Sequence, residues 1–409
     1  MSRAVLTLIV MLGQACYTAG DALSGGLFLA YYLESLSGSL LSISLLLVLP
    51  ETVAVAGLLG QSLVRQLGSP KRVWLLFAVV ARLAGLAIAA LGTRPDAAAV
   101  PLLTTLLLAL LIVAEIAQAI SYAGLVAWLV ALVDRDSWGT LFARRQVAIS
   151  GMLMLAPIVS GRAVLARFGT DPTPAEYATV LAIGQAITTA GVLILALLPA
   201  AASTGPPATP LRPLLRRLWQ RKPTRRTLLT ACHLAAAQGL TQLAFYAYGV
   251  RALGLDAGTR QQLTGLMFAM QIPCALVAGH LLDRMSNRAV YLWSLVGVAW
   301  AVPFWWLGLL DWRWVIGAYV VWGLFGAVNV AGRNAMLKLV DPSDAAGASA
   351  AFRFVAGLVA GVSGLIGGLV IDSVDDARTT AACVALMAIS FAGRLTAPLW
   401  LRGWREADG

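Results

Sequence analysis

Long apolar runs separated by short polar segments dominate this chain. Twelve of them reach the length of about 20 residues that a helix needs to cross a hydrocarbon core of ~30 Å. They cover approximately residues 5–33, 40–64, 73–91, 101–127, 147–166, 177–198, 228–250, 262–282, 290–310, 315–339, 354–371 and 380–401. The pattern predicts twelve transmembrane helices, and the fourth is the least sharply bounded because apolar sequence continues to Val133.

A polar turn occurs twice between these runs. The order Leu-Val-Asp, followed by Gly and then Arg, is found at residues 132–144 and again 207 positions later, at residues 339–353. Duplication at half-length in an apolar chain is typical of transporters built from two repeats around a central site.

A connection rich in proline and arginine divides the twelve runs into six and six. We therefore predict an N-terminal six-helix bundle at residues 1–200, a cytoplasmic linker at residues 201–226 and a C-terminal six-helix bundle at residues 227–409. The expected fold class is all-α integral membrane, with the two bundles related by pseudo-two-fold symmetry. The arginine-rich part of the linker either fixes topology alone or also lies on anionic lipid headgroups.

Composition and charge agree with a membrane protein. Hydrophobic residues make up 59% of the chain and charged residues 12%, against about a quarter in soluble domains. Of the 30 basic residues, 20 fall in loops and termini on one side, seven on the other and three within runs. The positive-inside rule then predicts a multi-pass protein of the inner (plasma) membrane with both termini in the cytoplasm. Because the net charge of +11 follows topology, we expect no nucleic acid partner.

The N-terminus and the cysteines indicate neither a secreted protein nor a metal-binding protein. The first run begins like a signal sequence, but it continues to Leu33, so an uncleaved helix is favoured. All four cysteines fall inside apolar runs and lack metal-ligand spacing, which predicts neither a disulfide framework nor a metal site. Without a catalytic triad or a phosphate-binding loop, we expect no enzyme and no cofactor.

The loop between the eighth and ninth runs resembles a motif of the major facilitator superfamily. Residues 279–288 follow the family's G-x-x-x-D-R-x-G-R-R, with Ser286 in place of the second glycine, whereas the first-half copy at residues 60–72 lacks the aspartate. In the fourth run Glu115 replaces the arginine of the family's L-x-x-x-R-x-x-Q-G, and residues 156–161 resemble an antiporter stretch.

The resemblance extends over the whole chain and implies the family's fold, alternating access and a central cavity. It implies that the first, second, fourth, seventh, eighth and tenth spans line this cavity, with the third, sixth, ninth and twelfth at the periphery. Residues 128–145 are similar to bacterial members of unassigned substrate, so the resemblance names no cargo.

The duplicated cytoplasmic loops predict a conformational latch. Glycine lets two helix ends approach closely, and exposed ion pairs of roughly 0 to 1 kcal/mol each are weak enough to break. The candidate latch residues are Gly60, Arg65, Gly279, Asp283, Arg284 and Arg288. The alternative is that these charges only anchor the loops at the headgroups.

Polar and charged groups inside the spans predict a solute and ion cavity, because burying a charge in the membrane costs at least ~2.5 kcal/mol. The candidate cavity residues are Gln14, Asp21, Glu51, Glu115, Gln118, Gln238, Gln242, Asn329 and Arg333. Arg82 and Arg394 lie on spans that the resemblance assigns to the periphery, so we expect them to pair with carbonyls or snorkel. For Asp21, Glu115 and Arg333, structural ion pairing is the alternative, and His233 is expected to be interfacial.

These features predict a secondary active transporter that moves a small polar or charged solute by alternating access. Protons are the expected coupling ion, because burial favours the protonated form of a carboxylate and lets it exchange protons as the cavity reorients. The expected partners are a small-molecule substrate, the coupling ion and the lipid bilayer, and we expect a monomer. The alternatives are a lipid or amphiphile flippase or exporter of the same fold, and a sensor that does not transport.

Overall fold

A computed structural model gives the fold of this chain. It describes residues 2–37, 39–93, 101–132, 138–200, 211–282, 284–340 and 345–402. All regular secondary structure in these ranges is helical. Ten helical segments within them are long and apolar enough to cross a membrane.

The helices of the first half follow the predicted runs closely. They are α1 (Arg3–Ser24), α2 (Gly26–Ser37), α3 (Leu40–Thr52), α4 (Ala56–Leu67), α5 (Pro70–Leu91), α6 (Pro101–Leu132), α7 (Trp138–Phe168) and α8 (Pro174–Ala196). Residues 133–137 and 341–344 of the two duplicated turns lie outside the described residues.

The second half begins with a short helix that belongs to the linker and continues with the remaining spans. The helices are α9 (Leu211–Gln220), α10 (Lys222–Gly239), α11 (Gln242–Ala247), α12 (Ala257–Leu282), α13 (Asn287–Ala299), α14 (Ala301–Leu307), α15 (Trp314–Trp322), α16 (Phe325–Lys338), α17 (Ala345–Asp372) and α18 (Asp376–Thr396).

Two predicted spans, the second and the seventh, are absent from the ten long segments, and each contains a helix break. In the run at residues 40–64, α3 contains Pro50 and gives way to a short 3₁₀ turn at Val53–Val55 before α4 begins. Proline lacks the N–H that would continue the helical hydrogen bonds. In the run at residues 228–250, α10 ends at Gly239 and α11 begins two residues later.

The chain divides into two compact units. One consists of residues 1–207 and 256–265, and the other of residues 208–255 and 266–409. The beginning of α12 therefore belongs to the first unit, where Gly161 of α7 packs against Gly258. Gly161 closes the stretch that resembles the antiporter motif, so this stretch has a packing role within the first unit.

In the first unit, α1 and α8 pack through glycines. A methyl group added to Gly20 would meet the backbone of Gly184 and the side chain of Thr188, so only glycine permits this approach. The contact holds Asp21, the next residue of α1, at a fixed height beside α8. It thereby helps to build the polar cavity of this unit.

One end of the first unit is closed by Lys71 and two tryptophans. Lys71 Nζ donates hydrogen bonds to the carbonyl oxygens of Ala196 (2.8 Å) and Leu198 (2.6 Å) at the C-terminal end of α8. Such carbonyls have no helical partners and attract cations. The rings of Trp74 and Trp128 lie 5.0 Å apart beneath this contact. Lys71, part of the degraded first motif copy, therefore stabilises the end of its own bundle.

The second unit has an aromatic core. Phe245 of α11 lies 5.1 Å from the ring centroids of both Trp305 and Trp322, and Tyr319 lies 5.1 Å from Trp322. Trp305 is fully buried. This cluster ties the interrupted seventh span to the ninth and tenth.

Candidate functional site

A polar cavity of about 190 Å³ lies inside the first unit. Five of its six spans contribute side chains to it, including the third and the sixth. Its lining residues are Asp21, Ser24, Gly25, Gly26, Leu29, Pro50, Ala81, Arg82, Gly85, Ile88, Leu111, Ala114, Glu115, Gln118, Leu181 and Gln185. Three of the predicted cavity residues, Asp21, Glu115 and Gln118, are thus brought together.

Asp21 lies four residues before a break in the first span. The N–H of Gly25 donates to the Asp21 carbonyl oxygen at 2.9 Å and ends α1, and Gly26 turns the chain with a φ of +51° that favours glycine. The Asp21 side chain is exposed to the cavity. The break therefore leaves a carboxylate facing polar space rather than lipid.

Arg82 is the cation of the cavity. Its Nη2 donates a hydrogen bond to Gln118 Oε1 at 2.8 Å, and Gln118 Nε2 in turn donates to the hydroxyl of Tyr17. The guanidinium carbon lies 5.5 Å from the centroid of the Tyr17 ring. Arg82 is buried, and its Nε and Nη1 have no hydrogen-bond partner among the described residues. Two nitrogen atoms of a buried guanidinium thus remain available to donate to a ligand, to water or to a carboxylate.

Glu115 lies one helical turn before Gln118 on α6 and is half-buried. It interacts electrostatically with both Asp21 and Arg82, although neither carboxylate forms a direct ion pair with the guanidinium in the described part of the chain. Two carboxylates and one guanidinium carry a net charge of −1. A single proton neutralises the group, which makes proton uptake and release the chemistry that it can perform.

Gln185 of α8 reaches the cavity through space left by Gly85. A methyl group at Gly85 would overlap the Gln185 amide, so glycine is needed on α5 at this height. The Gln185 side chain is buried, and its Oε1 has no partner among the described residues. This acceptor and the free nitrogens of Arg82 line the same cavity and are complementary.

Arg82 corrects the expectation that the third span carries only a peripheral arginine. The signal was present in the sequence: the face of α5 that bears Arg82 also bears small residues, whereas large apolar residues occupy the opposite face. The buried positions include Ala78, Ala81, Arg82, Gly85 and Ala89, and the exposed ones are Leu76, Val79, Leu83 and Leu86. An arginine among small buried residues faces its own bundle.

Two other candidates of the first unit lie elsewhere. Gln14 is buried two turns before Asp21 and does not line the described cavity. Glu51 is exposed, and only its neighbour Pro50 reaches the cavity wall. The structure therefore separates Glu51 from the pair formed by Asp21 and Glu115.

The candidates of the second unit flank a second helix break and one face of the tenth span. Gln238 and Gln242 are half-buried on the two sides of the interruption between α10 and α11, and Gln242 Oε1 lacks a partner among the described residues. Asn329 and Arg333 are exposed and lie four residues apart on α16. They therefore share a helical face, as the sequence predicts.

Arg394 is buried rather than snorkelling, which corrects that part of the expectation. Its Nε donates to Ser390 Oγ at 3.1 Å, and Ser390 Oγ donates to the Ala237 carbonyl oxygen at 2.6 Å. Ala237 lies in the last turn of α10, whose C-terminal carbonyls carry partial negative charge. Arg394 thus stabilises the break of the seventh span.

His233 packs against the end of the twelfth span. Trp400 Nε1 donates to His233 Nδ1 at 3.0 Å, and Thr396 Oγ1 lies 3.4 Å from His233 Nε2. Both ring nitrogens are engaged by side chains of one neighbouring segment. This geometry gives the imidazole a packing role.

The latch candidates are only partly described. Gly60 packs against Ile120 and Ala123 of α6, so its close approach lies within the first unit. At Gly279, an added methyl group would meet no described atom within 4 Å. Arg284 is exposed and Arg288 is half-buried. Asp283 and the Arg65 side chain lie outside the described residues.

Solved structures match this chain over nearly its whole length, whereas no protein-family model and no curated protein matches it. A mutant of the nucleoside transporter NupG superimposes with a TM-score of 0.75 at 14% identity, covering 96% of this chain and 98% of that protein. An auto-inhibited peptide transporter of the POT family gives 0.74 at 14% identity over 99% and 98%. A D-xylose-proton symporter gives 0.72 at 15% identity over 99% of both chains.

These solved structures are transporters of the major facilitator type. At such low identity they establish the fold, and the described helices account for all twelve predicted spans once the interrupted ones are included. The fold class predicted from the apolar runs is confirmed: this chain has the twelve-helix major facilitator fold.

Proposed function

We propose that this protein is a secondary active transporter that moves a small polar or charged solute by alternating access, coupled to protons. The fold supports transport, since the matched structures are described as transporters of nucleosides, peptides and xylose. One of them is described as a proton symporter. The proposal takes the class of activity from them and leaves the solute open.

The observation that carries the proposal is the cavity shared by Asp21, Glu115 and Arg82. A membrane protein has no reason of stability to gather three ionisable side chains around empty space, because each is costly to bury. Their net charge alternates between −1 and 0 as one proton binds and leaves. When the cavity reaches one side of the membrane or the other, that proton can be exchanged with the solution there.

Helix breaks in corresponding spans support the same site. The first span is interrupted at Gly25, and the seventh, which opens the second half, is interrupted between Gly239 and Gln242. Paired interruptions of this kind are the best sequence-level indicator of binding sites in transporters built from repeats. Asp21 and Gln238 each lie in the last turn of the helix that precedes the break.

We assign solute binding to the polar groups of the second unit. Gln238, Gln242 and Asn329 offer amide donors and acceptors, and Arg333 is the natural partner of an anionic group on the solute. In this division the first unit carries the proton and the second carries most of the solute contacts. Gln118 belongs to the polar lining of the first half, whereas Gln14 and Glu51 lie outside the described cavity.

The latch and the cellular setting complete the proposal. Asp283 with Arg284 and Arg288, together with Arg65 and the two loop glycines, would hold the cytoplasmic side shut in one state and release it in the other. The protein would work as a monomer in the plasma membrane, with both termini and the linker in the cytoplasm.

A ligand screen followed by a transport assay tests the function. A ligand raises the unfolding temperature of purified protein by mass action, so a metabolite library should reveal the solute class. The solute found in this way should accumulate in proteoliposomes under a pH gradient, and a protonophore should abolish the accumulation. Solute uptake at the same rate with and without the pH gradient would contradict proton coupling. If none of the stabilising compounds is transported, the transporter assignment is wrong.

A further inference from the structure

The linker helix α9 presents a basic and aromatic surface at the start of a transmembrane helix. Its sequence, Leu211–Gln220, places leucines at every third or fourth position and arginines between them. Residues 201–227 contain seven basic residues and no aspartate or glutamate. A short segment with this excess of positive charge attracts negatively charged groups of a binding partner.

The apolar side of α9 is already covered by the protein. Leu218 is buried in a cluster with Phe352 and Ala351 of α17 and Leu228 of α10, and Leu215 packs against the same cluster. The helix therefore does not need to insert leucines into lipid in order to be stable. Whatever binds its other side meets charge and one aromatic ring.

The exposed part of α9 combines arginines with an exposed indole that borders the apolar side. Trp219 is 50% exposed, Arg216 is exposed, and the guanidinium carbon of Arg225 lies 6.0 Å from the Trp219 ring centroid. Lys222, the first residue of α10, is exposed next to them. Stacking on the indole holds Arg225 in a fixed orientation, which favours bidentate binding of a phosphate group.

Chain connectivity brings this surface to the level of the lipid headgroups. Arg221 is the only residue between α9 and α10, and α10 enters the seventh span. Tryptophan prefers the headgroup level of the bilayer, and basic residues next to a transmembrane helix attract anionic lipids.

We propose that Arg216, Trp219, Lys222 and Arg225 form a binding surface for the headgroups of anionic phospholipids. This inference is independent of the transported solute. It commits to a membrane lipid rather than a soluble phosphate compound, because the surface adjoins a transmembrane helix and includes an interfacial indole.

Native mass spectrometry of the full-length protein tests the proposal. The probe is an equal mixture of phosphatidylglycerol and phosphatidylcholine with identical acyl chains. The wild type should retain phosphatidylglycerol selectively. Each basic side chain near an anionic membrane surface contributes about fivefold in affinity, so Arg216→Gln with Arg225→Gln should lower this retention by roughly 25-fold.

Arg313→Gln is the matched control. Arg313 also neighbours exposed tryptophans, Trp312 and Trp314, but it lies beside Asp311, with Arg313 Nη1 and Asp311 Oδ2 3.9 Å apart. Its loss should leave phosphatidylglycerol retention unchanged. Equal losses in the control and the double variant, or no loss in either, would overturn the assignment.

A second measurement places the lipid on α9 itself. A fluorophore on Trp219→Cys, in a variant without the four native cysteines, should be quenched more by spin-labelled phosphatidylglycerol than by spin-labelled phosphatidylcholine. Equal quenching by both overturns the proposal. Complete displacement of phosphatidylglycerol by excess inorganic phosphate would show that the surface binds a soluble anion, and would also overturn it.

Discussion

Arg82 and Gln118 link the third span to the fourth through a hydrogen bond of 2.8 Å from Nη2 to Oε1. This bond fixes the guanidinium on the helix that also carries Glu115, while its remaining donors stay free. Arg82 is therefore held near both carboxylates without being committed to either. In the proposed proton cycle, its charge stabilises whichever of Asp21 and Glu115 is ionised.

The first prediction concerns the energetic coupling of Arg82 to Asp21. Arg82→Gln should lower stability by about 1.5–3 kcal/mol, because a hydrogen bond from a charged group is lost. Adding Asp21→Asn should recover part of the loss, with a coupling energy of roughly 0.5–3 kcal/mol. The measurement is the unfolding midpoint in detergent.

Arg72→Gln is the control for this cycle, since Arg72 is an exposed arginine on the same helix. It should change the midpoint little. Strict additivity of Arg82→Gln and Asp21→Asn would show that the two charges do not sense each other.

The second prediction concerns proton coupling. Asp21→Asn or Glu115→Gln should abolish transport driven by a pH gradient while solute binding or exchange stays measurable, because a neutral mimic freezes the proton cycle without emptying the solute site. The assay is uptake into proteoliposomes beside counterflow. If the double variant still accumulates solute in response to a pH gradient, the coupling proton is carried elsewhere.

The sequence predicted the fold well because membrane insertion imposes a simple rule. An apolar run of sufficient length forms a span regardless of the specific contacts of its side chains. The helix breaks at Pro50 and Gly239 also lie within predicted runs. Asp21, Glu115 and Gln118, which are predicted cavity residues because polar groups inside a span are costly, line the cavity of the first unit. Arg82 contradicts the peripheral position that the resemblance implies for the third span, and the small-residue face of α5 is the local signal of its burial.

Other features of the site lay beyond sequence reasoning. The contact of Gly20 with Gly184, and the space that Gly85 leaves for Gln185, depend on how α1, α5 and α8 pack. Lys71 donates to the carbonyl oxygen of Ala196, at the end of a helix far away in sequence. Arg394 is linked through Ser390 to the carbonyl oxygen of Ala237, at the end of α10. Such tertiary partners carry no local pattern, so a single sequence does not reveal them.

The third prediction separates Arg333 and Arg394, the two arginines of the second unit that lie within predicted spans. Arg333 is exposed on α16, whereas Arg394 is buried at the break of the seventh span. Arg333→Ala should abolish binding of an anionic solute and leave the unfolding midpoint nearly unchanged. Binding that survives Arg333→Ala, measured by calorimetry with an anionic ligand from the screen, would remove Arg333 from the solute site.

The fourth prediction concerns Ser390, which relays Arg394 to the end of α10. Ser390→Ala should destabilise the protein by about 1–3 kcal/mol, because Arg394 Nε loses its partner and the Ala237 carbonyl oxygen keeps only the longer bond from Thr241 Oγ1. Ser294→Ala is the control, since Ser294 is also buried but donates only to Tyr291 in its own helix. Equal shifts of the unfolding midpoint would mean that Ser390 has no special role.

The fifth prediction tests the topology inferred from charge. In a variant without the native cysteines, Gln220→Cys in the linker should react with a membrane-impermeant thiol reagent only from the cytoplasmic side. Ser373→Cys, in the loop at residues 372–378, should react only from outside. Both side chains are exposed, so differences in labelling report the side of the membrane rather than burial.

This experiment also tests the topology on which the lipid surface of α9 depends, because anionic headgroups attract basic segments from the cytoplasmic leaflet. If Gln220→Cys were labelled from outside, the 20 basic residues assigned to the cytoplasm would all lie outside instead. That arrangement opposes the rule by which positive charge is retained in the cytoplasm during insertion. The linker, both termini and the latch loops therefore share one test, since each is joined to the others by an even number of spans.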